Sequence, residues 1–173
     1  MRRFLHTAII GFALLSTSCS VQEPAPFGVT PTKAQVEWQK NEYTMFVHFG
    51  PNTFTGAEWG SGKEKAEIFN PTALDCGQWA SVAKAAGMRY AVFTSKHHEG
   101  FCLFDSQFTD YKITNTMFKR DVVKEYVEAC REAGMRVGLY YSILDWHHPE
   151  FTLDRFHPRR YDKDAQEINA KRD

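Results

Sequence analysis

Apolar positions along this chain come in two rhythms that alternate from about residue 43 onward. Tyr43 to Phe49 is a dense aromatic run closed by Gly50-Pro51, which predicts a buried strand, and the preceding Lys33 to Asn41, carrying Val36 and Trp38, predicts a short helix. Trp79, Val82, Ala83 and Ala86 then fall at i, i+3, i+4 and i+7, with Asp75 placed to cap the helix and Gly87 to stop it. Tyr90 to Thr94 is a second non-alternating apolar run, closed by Ser95. The sequence repeats the unit: Asp121 as cap, Val123, Tyr126, Val127 and Cys130 at helical spacing, Gly134 as stop, and Val137 to Tyr141 as a third run closed by Ser142. The junctions echo one another, since Ala86-Gly87-Met88-Arg89 recurs as Ala133-Gly134-Met135-Arg136.

Strand, helix, strand, helix, strand with non-alternating strands is the signature of successive β-α units and a parallel sheet, an α/β fold. A doubly wound sheet and an eight-stranded barrel both begin this way. The connection lengths favour the barrel: Pro51 to Leu74, Lys96 to Arg120 and Ile143 to Tyr161 all follow strand C-terminal ends, whereas the returns from helix to strand are very short. No GxGxxG or GxxxxGK[ST] follows any strand, which argues against a nucleotide fold. A closed barrel takes about 250 residues. The expectation is therefore an incomplete TIM-like (β/α)8 barrel, its N-terminal portion of about three strands, with a polar tail, Asp162 to Asp173, that begins a helix and stops without a packed or capped end.

The first residues have a different character. Arg2 and Arg3 precede an apolar run, Ala8 to Leu15, and then Ser16, Thr17, Ser18 and Cys19. This charged, apolar, small-residue order is that of a secretory signal, too short to span a bilayer as a mature helix. Cys19 directly after small residues resembles a bacterial lipoprotein cleavage site. The expected organisation is a lipoprotein-type signal peptide over 1–18, a proline-containing tether over 19–31 beginning with lipidated Cys19, and the barrel portion over 32–173. The expected location is secretion across the inner membrane, as a periplasmic or outer-membrane lipoprotein of a bacterium, with membrane contact only through the lipid.

Composition narrows the function. In 173 residues, 43% apolar and 14% aromatic content is that of a globular protein, and 21 Lys+Arg against 21 Asp+Glu leaves no field to hold a nucleic acid. Cys76, Cys102 and Cys130 are an odd number without CxxC spacing, so neither a disulfide scaffold nor a cysteine zinc site is expected. The chemistry-bearing residues gather instead at strand ends: His48 after the first, His97-His98-Glu99 after the second, and Tyr140-Tyr141-Ser142 with Asp145-Trp146-His147-His148 at and after the third. In a parallel barrel these positions face one mouth.

Four segments in this order resemble the opening of the retaining alpha-L-fucosidases, glycoside hydrolase family 29: Met45 to Gly50, Asn52 to Gly60, Thr94 to Phe101 with its Lys96-His97-His98-Glu99-Gly100-Phe101 string, and Gly138 to Ser142 with Asp145-Trp146. The stretch before Glu58-Trp59 is most similar to the branch preferring alpha-1,3 and alpha-1,4 linkages. The resemblance implies that His48, Glu58, Trp59, His97 and His98 bind the fucose hydroxyls and that Tyr140 lines the wall near the sugar's methyl group. The physical fit is sound, because imidazoles and a carboxylate can hold adjacent hydroxyls while Trp and Tyr cover apolar C–H faces. Tyr140 is chosen over Tyr141 by the resemblance alone; strand alternation says only that the two point to opposite sides.

The same resemblance implies a fucosylated oligosaccharide or glycoconjugate as substrate, no cofactor and no metal. It places the catalytic nucleophile at the end of the next strand and the acid/base further on, so neither lies among these residues and the 173 residues alone are expected to be inactive. Two other classes stay open. A metal-dependent hydrolase would draw on His48, His97, His98, His147 and His148, but no diagnostic ligand spacing is present. A non-catalytic sugar-binding fragment should end in a packed or capped element, which the tail does not promise.

Overall fold

The computed structural model describes residues 23–171; the expected signal and Cys19 lie outside them. The elements are α1 (Lys33–Gln39), β1 (Thr44–Val47), α2 (Asn52–Thr55), α3 (Cys76–Ala85), β2 (Tyr90–Lys96), α4 (Val122–Glu132), β3 (Arg136–Tyr141) and α5 (Lys163–Ala170). Short 3-10 turns lie at Ala66–Ile68 and Ile113–Asn115. The strands form one parallel sheet in the order β1-β2-β3. The expected α/β order is thus present, and among the described residues no helix is long and apolar enough to cross a membrane.

Capping explains where the two main helices begin. The Asp75 carboxylate accepts from Gln78 N at 2.9 Å, and Asp121 accepts from Lys124 N at 2.8 Å. Each such cap contributes about 1 kcal/mol relative to alanine. Gly87 and Gly134 end the helices at φ 88° and 68°, a left-handed conformation open to glycine, and the strands begin shortly after, at Tyr90 and Arg136.

The core lies between the helices and one face of the sheet. Ala91 and Phe93 of β2 are fully buried there, with Phe93 against Trp79 of α3 and Tyr126 of α4 at ring distances of 5.8 and 5.1 Å. On α4 the buried line is Val122, Tyr126 and Cys130, with Val123 and Val127 partly covered, close to the expected stripe. On α3 the expected stripe is corrected: Cys76, Ala80 and Ala83 are buried, whereas Val82 is 58% exposed and Ala86 is exposed. The helix is rotated so that its small side chains face its neighbour, which brings Cys76 Sγ to 4.0 Å from Val122 O. Cys76, Cys102 and Cys130 are all free and buried, and burial pushes the Cys76 thiol up to about 12.

Two further expectations are corrected. Among the described residues only β2 is a buried strand; β1 and β3 carry partly covered and exposed residues, because there each has one strand neighbour and the helices cover one face. The other face carries Phe46, His48, Val92, Thr94, Gly138 and Tyr140, and Phe46 is 56% exposed on it. The tail is also more ordered than its polarity suggested. Helix α5 buries Ala165, Asn169 accepts from Leu153 N at 3.2 Å, and Arg159 pairs with Asp162 and Asp164. Lys63, from the loop after β1, pairs with Asp162 at 2.5 Å. The helix expected there is held by ion pairs rather than by an apolar stripe, which is why hydrophobic periodicity promised no packed end.

Candidate active site

Strand order and register bring the predicted residues together. Thr94 of β2 lies opposite Tyr140 of β3, and beyond Thr94 the register slips so that Lys96 pairs with Tyr141. The extra residue, Ser95, forms a bulge, a device that re-aims the side chains that follow it. It is held by its hydroxyl, which donates to Tyr140 O at 2.9 Å. On one side of the sheet, Lys96 then sits 4.8 Å over the ring of Tyr141. On the other, the ring of His97 lies 5.7 Å from that of Tyr140, 4.6 Å from that of His48 and 4.1 Å from that of His98. Geometry thereby separates the two tyrosines: Tyr140 joins the imidazole cluster and Tyr141 does not.

Loops complete the arrangement. After β1 the chain makes the single turn α2, and Gly56 ends it at φ 69°. Gly60 then passes so close to the second loop that a Cβ there would lie 2.7 Å from Glu99 Cβ and 2.8 Å from Asn52 Oδ1. This approach sets Trp59 at 6.1 Å from the ring of His98, edge to face, and at 6.0 Å from Trp146. Trp146 is buried, and its backbone N–H donates to His98 O at 2.8 Å. His147 stacks on Tyr111 at 3.9 Å and its Nδ1 lies 2.8 Å from Gly62 O, while the Tyr111 hydroxyl donates to Glu64 O at 2.7 Å. The loops after all three strands are therefore tied to one another.

A cavity of about 450 Å³ opens at this end of the sheet, lined by His48, Asn52, Glu58, Thr94, His97 and Glu99 among others. Glu58 is exposed on its wall; Trp59, His98 and Tyr140 border the same cluster through their ring contacts. All six predicted residues are therefore found around one mouth. Among the described residues no group of three His, Cys, Asp or Glu side chains is arranged to hold a metal ion.

Hydrogen bonds assign the state of His98. Its Nδ1 lies 2.6 Å from Ser142 Oγ, and that hydroxyl donates its one proton to Leu144 O at 3.0 Å. Ser142 must then accept from His98, so Nδ1 carries the hydrogen and Nε2 is left with a lone pair. Burial, and then the neighbouring His97, lower the His98 pKa. Burial and His97 likewise lower that of His48, partly opposed by Glu99. Both imidazoles are thus held towards the neutral form, and His98 Nε2 is left able to accept from a hydroxyl.

One residue of the cluster escaped sequence reasoning as more than a carboxylate near the mouth. Glu99 is 1% exposed, accepts from Asn52 Nδ2 at 3.1 Å and lies 3.5 Å from His97 Nδ1. Its place directly after His97-His98 in sequence was the available signal, but only the fold turns it inward. Two further acids, Asp145 and Asp105, are also engaged, whereas Glu58 on the cavity wall has no side-chain partner among the described residues. Asp145 pairs with Lys96 at 2.9 Å, and Asp105 accepts from Lys112 and Thr114, both at 2.8 Å.

A parallel sheet presenting imidazoles, a tryptophan, a tyrosine and a carboxylate at its strand C-terminal ends has the arrangement of a small-molecule site at the mouth of an α/β fold. Comparison with known proteins agrees, since the alpha-L-fucosidase family profile matches residues 21–170. The chain belongs to the alpha-L-fucosidase family. It is 42% identical over 149 residues to alpha-L-fucosidase 1 of Arabidopsis thaliana, a match covering 83% of this chain and 29% of the plant protein. Among solved structures it is similar to a glycoside hydrolase family 29 member from an unknown rumen bacterium, at 47% identity and a TM-score of 0.68 over 72% of this chain and 23% of that one. It also resembles an alpha-L-fucosidase structure from Bacteroides thetaiotaomicron, at 43% identity and a TM-score of 0.70 over 83% of this chain and 32% of that one. The chain spans less than a third of the length of the plant relative.

Proposed function

We propose that the protein to which these residues belong is a retaining exo-glycosidase that hydrolyses terminal alpha-L-fucose from oligosaccharides or glycoconjugates. The observation that carries this reading is the convergence of His48, His97, His98 and Tyr140 from three strand ends beside Glu58 and Trp59. In this reading the sheet is the first three strands of an eight-stranded barrel, and its open face lines the barrel's interior. The histidines and Glu58 hold the fucose hydroxyls, Trp59 covers a C–H face, and Tyr140 faces the methyl group.

Retention requires two carboxylates about 5 Å apart, one attacking the anomeric carbon and one acting as acid and then base. Glu99, Asp145 and Asp105 already have partners within this stretch, which fits them poorly for attack. Glu58, the acid on the cavity wall without a partner among the described residues, is assigned to the sugar hydroxyls, so in this reading both catalytic carboxylates come from outside the stretch and residues 32–173 supply the half that holds the sugar. A signal over 1–18 and lipidation of Cys19 followed by a tether over 19–31 complete the proposal, placing a bacterial lipoprotein in the periplasm or outer membrane. The stretch before Glu58-Trp59 favours a preference for alpha-1,3 and alpha-1,4 linkages.

The test is release of 4-nitrophenol from 4-nitrophenyl alpha-L-fucoside by the 173 residues and by the full-length protein. Activity in the full-length protein alone is expected, and His97→Ala there should lower kcat/KM. Activity in the 173 residues would make Glu58, Glu99, Asp105 or Asp145 catalytic and overturn the division of labour. One observation favours a second reading: α5 is a packed element, as a free-standing sugar-binding module requires. Cooperative thermal unfolding of the 173 residues would support that module.

A further inference from the structure

A second cavity, of about 610 Å³, lies next to the first and shares Ala57 with it; its wall includes Trp59, Trp146, Glu64, Arg155, Phe156 and Arg160. Glu58 and Trp59 are consecutive, so one lines each cavity, and a sugar attached to a fucose in the first cavity would meet Trp59 on its way into the second. The wall offers apolar faces and cations together. Trp59 is half-exposed, the Arg155 guanidinium lies 4.5 Å over the ring of Phe156, and that of Arg160 lies 4.5 Å over the ring of Tyr161.

The charges of this wall are unbalanced. Arg160 Nη1 donates to His157 O at 3.2 Å, and among the described residues neither Arg155 nor Arg160 has a carboxylate partner. Arg159, between them in sequence, is by contrast paired with both Asp162 and Asp164. Glu64 is the one acid on the wall, and both its oxygens are taken: Oε1 by Ser61 N and Oγ at 2.6 and 2.8 Å, and Oε2 by Gly62 N at 2.9 Å. Two cations with spare N–H donors thus face the cavity against one anion that is already satisfied. Guanidinium groups of this kind match a planar carboxylate or a sulfate, and an aromatic wall matches the C–H face of a pyranose.

We infer that this second cavity is an aglycone subsite for an anionic sugar, with Trp59 as its aromatic wall and Arg155 and Arg160 as the groups that read the negative charge. The inference rests on the fucose-hydrolysis reading and adds to it the chemical class of the residue that carries the fucose. The ligand chemistry is a carboxylate or a sulfate ester on the neighbouring pyranose.

The experiment measures kcat/KM of the full-length protein for three alpha-L-fucosides differing only in the residue next to fucose: galactose, galacturonic acid and galactose 6-sulfate. The expected result is a preference of about tenfold for one or both anionic compounds over the galactoside, the size of one accessible charge-assisted hydrogen bond. Which arm is preferred identifies the anion. The ratio should fall to about one in Arg155→Ala/Arg160→Ala, and partway in Arg155→Ala, which leaves the Arg160 bond to His157 intact. The galactoside rate of each preparation reports its folding, so a misfolded variant is not mistaken for lost preference. A ratio near one in the parent protein, or a preference that survives in the double variant, would overturn the subsite while leaving fucose hydrolysis standing. No hydrolysis of any of the three would overturn the fucosidase reading and the subsite with it.

Discussion

The pair Lys96–Asp145 should stabilise the mouth of the site unequally from its two ends. Lys96 is 3% exposed; its ammonium lies 2.9 Å from Asp145 Oδ2 and 3.4 Å from Leu144 O and sits over the ring of Tyr141. Asp145 is 27% exposed and its other oxygen accepts from His148 N at 3.0 Å. Removing the acid strands a fully buried cation, whereas removing the cation leaves an acid that water and a backbone N–H can still serve. Breaking a buried pair costs about 3–5 kcal/mol, so Asp145→Ala should lose about 3–4 kcal/mol. Lys96→Met keeps the stem packing, and solvent reaches the remaining carboxylate, so its cost should be about 1–2 kcal/mol. The double variant should lose less than the sum of the two, because neither charge is then left alone. Urea denaturation of the full-length protein, followed by tryptophan fluorescence, measures all three through the shift in midpoint at constant slope. A larger loss for Lys96→Met than for Asp145→Ala, or strict additivity in the double variant, would refute the reasoning.

Acid should weaken the fold through the imidazole cluster. His48 and His98 have folded pKa values lowered from 6.5, so their contribution is fully present above about 6.5 and is lost as pH falls through the lowered folded values. Urea midpoints should therefore drop between pH 7.5 and 5.5, and less so in His98→Asn; an equal drop in that variant would contradict the assignment. Gly60→Ala should cost about 1–3 kcal/mol as overpacking against Glu99, read as a lowered Tm, and an unchanged Tm would mean that the loop has room the structure denies. Ser142→Ala should release His98 from its fixed tautomer and lower kcat/KM of the full-length protein several-fold, in keeping with about 1 kcal/mol for a hydrogen bond. Unchanged kinetics there would remove Ser142 from the site.

Sequence alone determined what depends on local chemistry. The helix starts at Asp75 and Asp121, the glycine stops at Gly87 and Gly134, the three strands and their parallel order all follow from capping, backbone freedom and the period of the apolar positions, and His48, His97, His98 and Tyr140 stood out as chemistry-bearing types at strand ends, with Glu58 and Trp59 added by the family resemblance alone. Tertiary structure decided what depends on neighbours distant in the chain. Which side of α3 is buried was set by how closely two helices can approach over small side chains, and the exposure of β1 and β3 by what lies beside them in the sheet. Tyr140 parts from Tyr141 and His97 turns toward His48 at a strand register that slips at Ser95. The inward turn of Glu99 and the ion pairs that hold α5 are likewise long-range, because a charged residue carries no mark in sequence of whether its partner is water or a group folded against it.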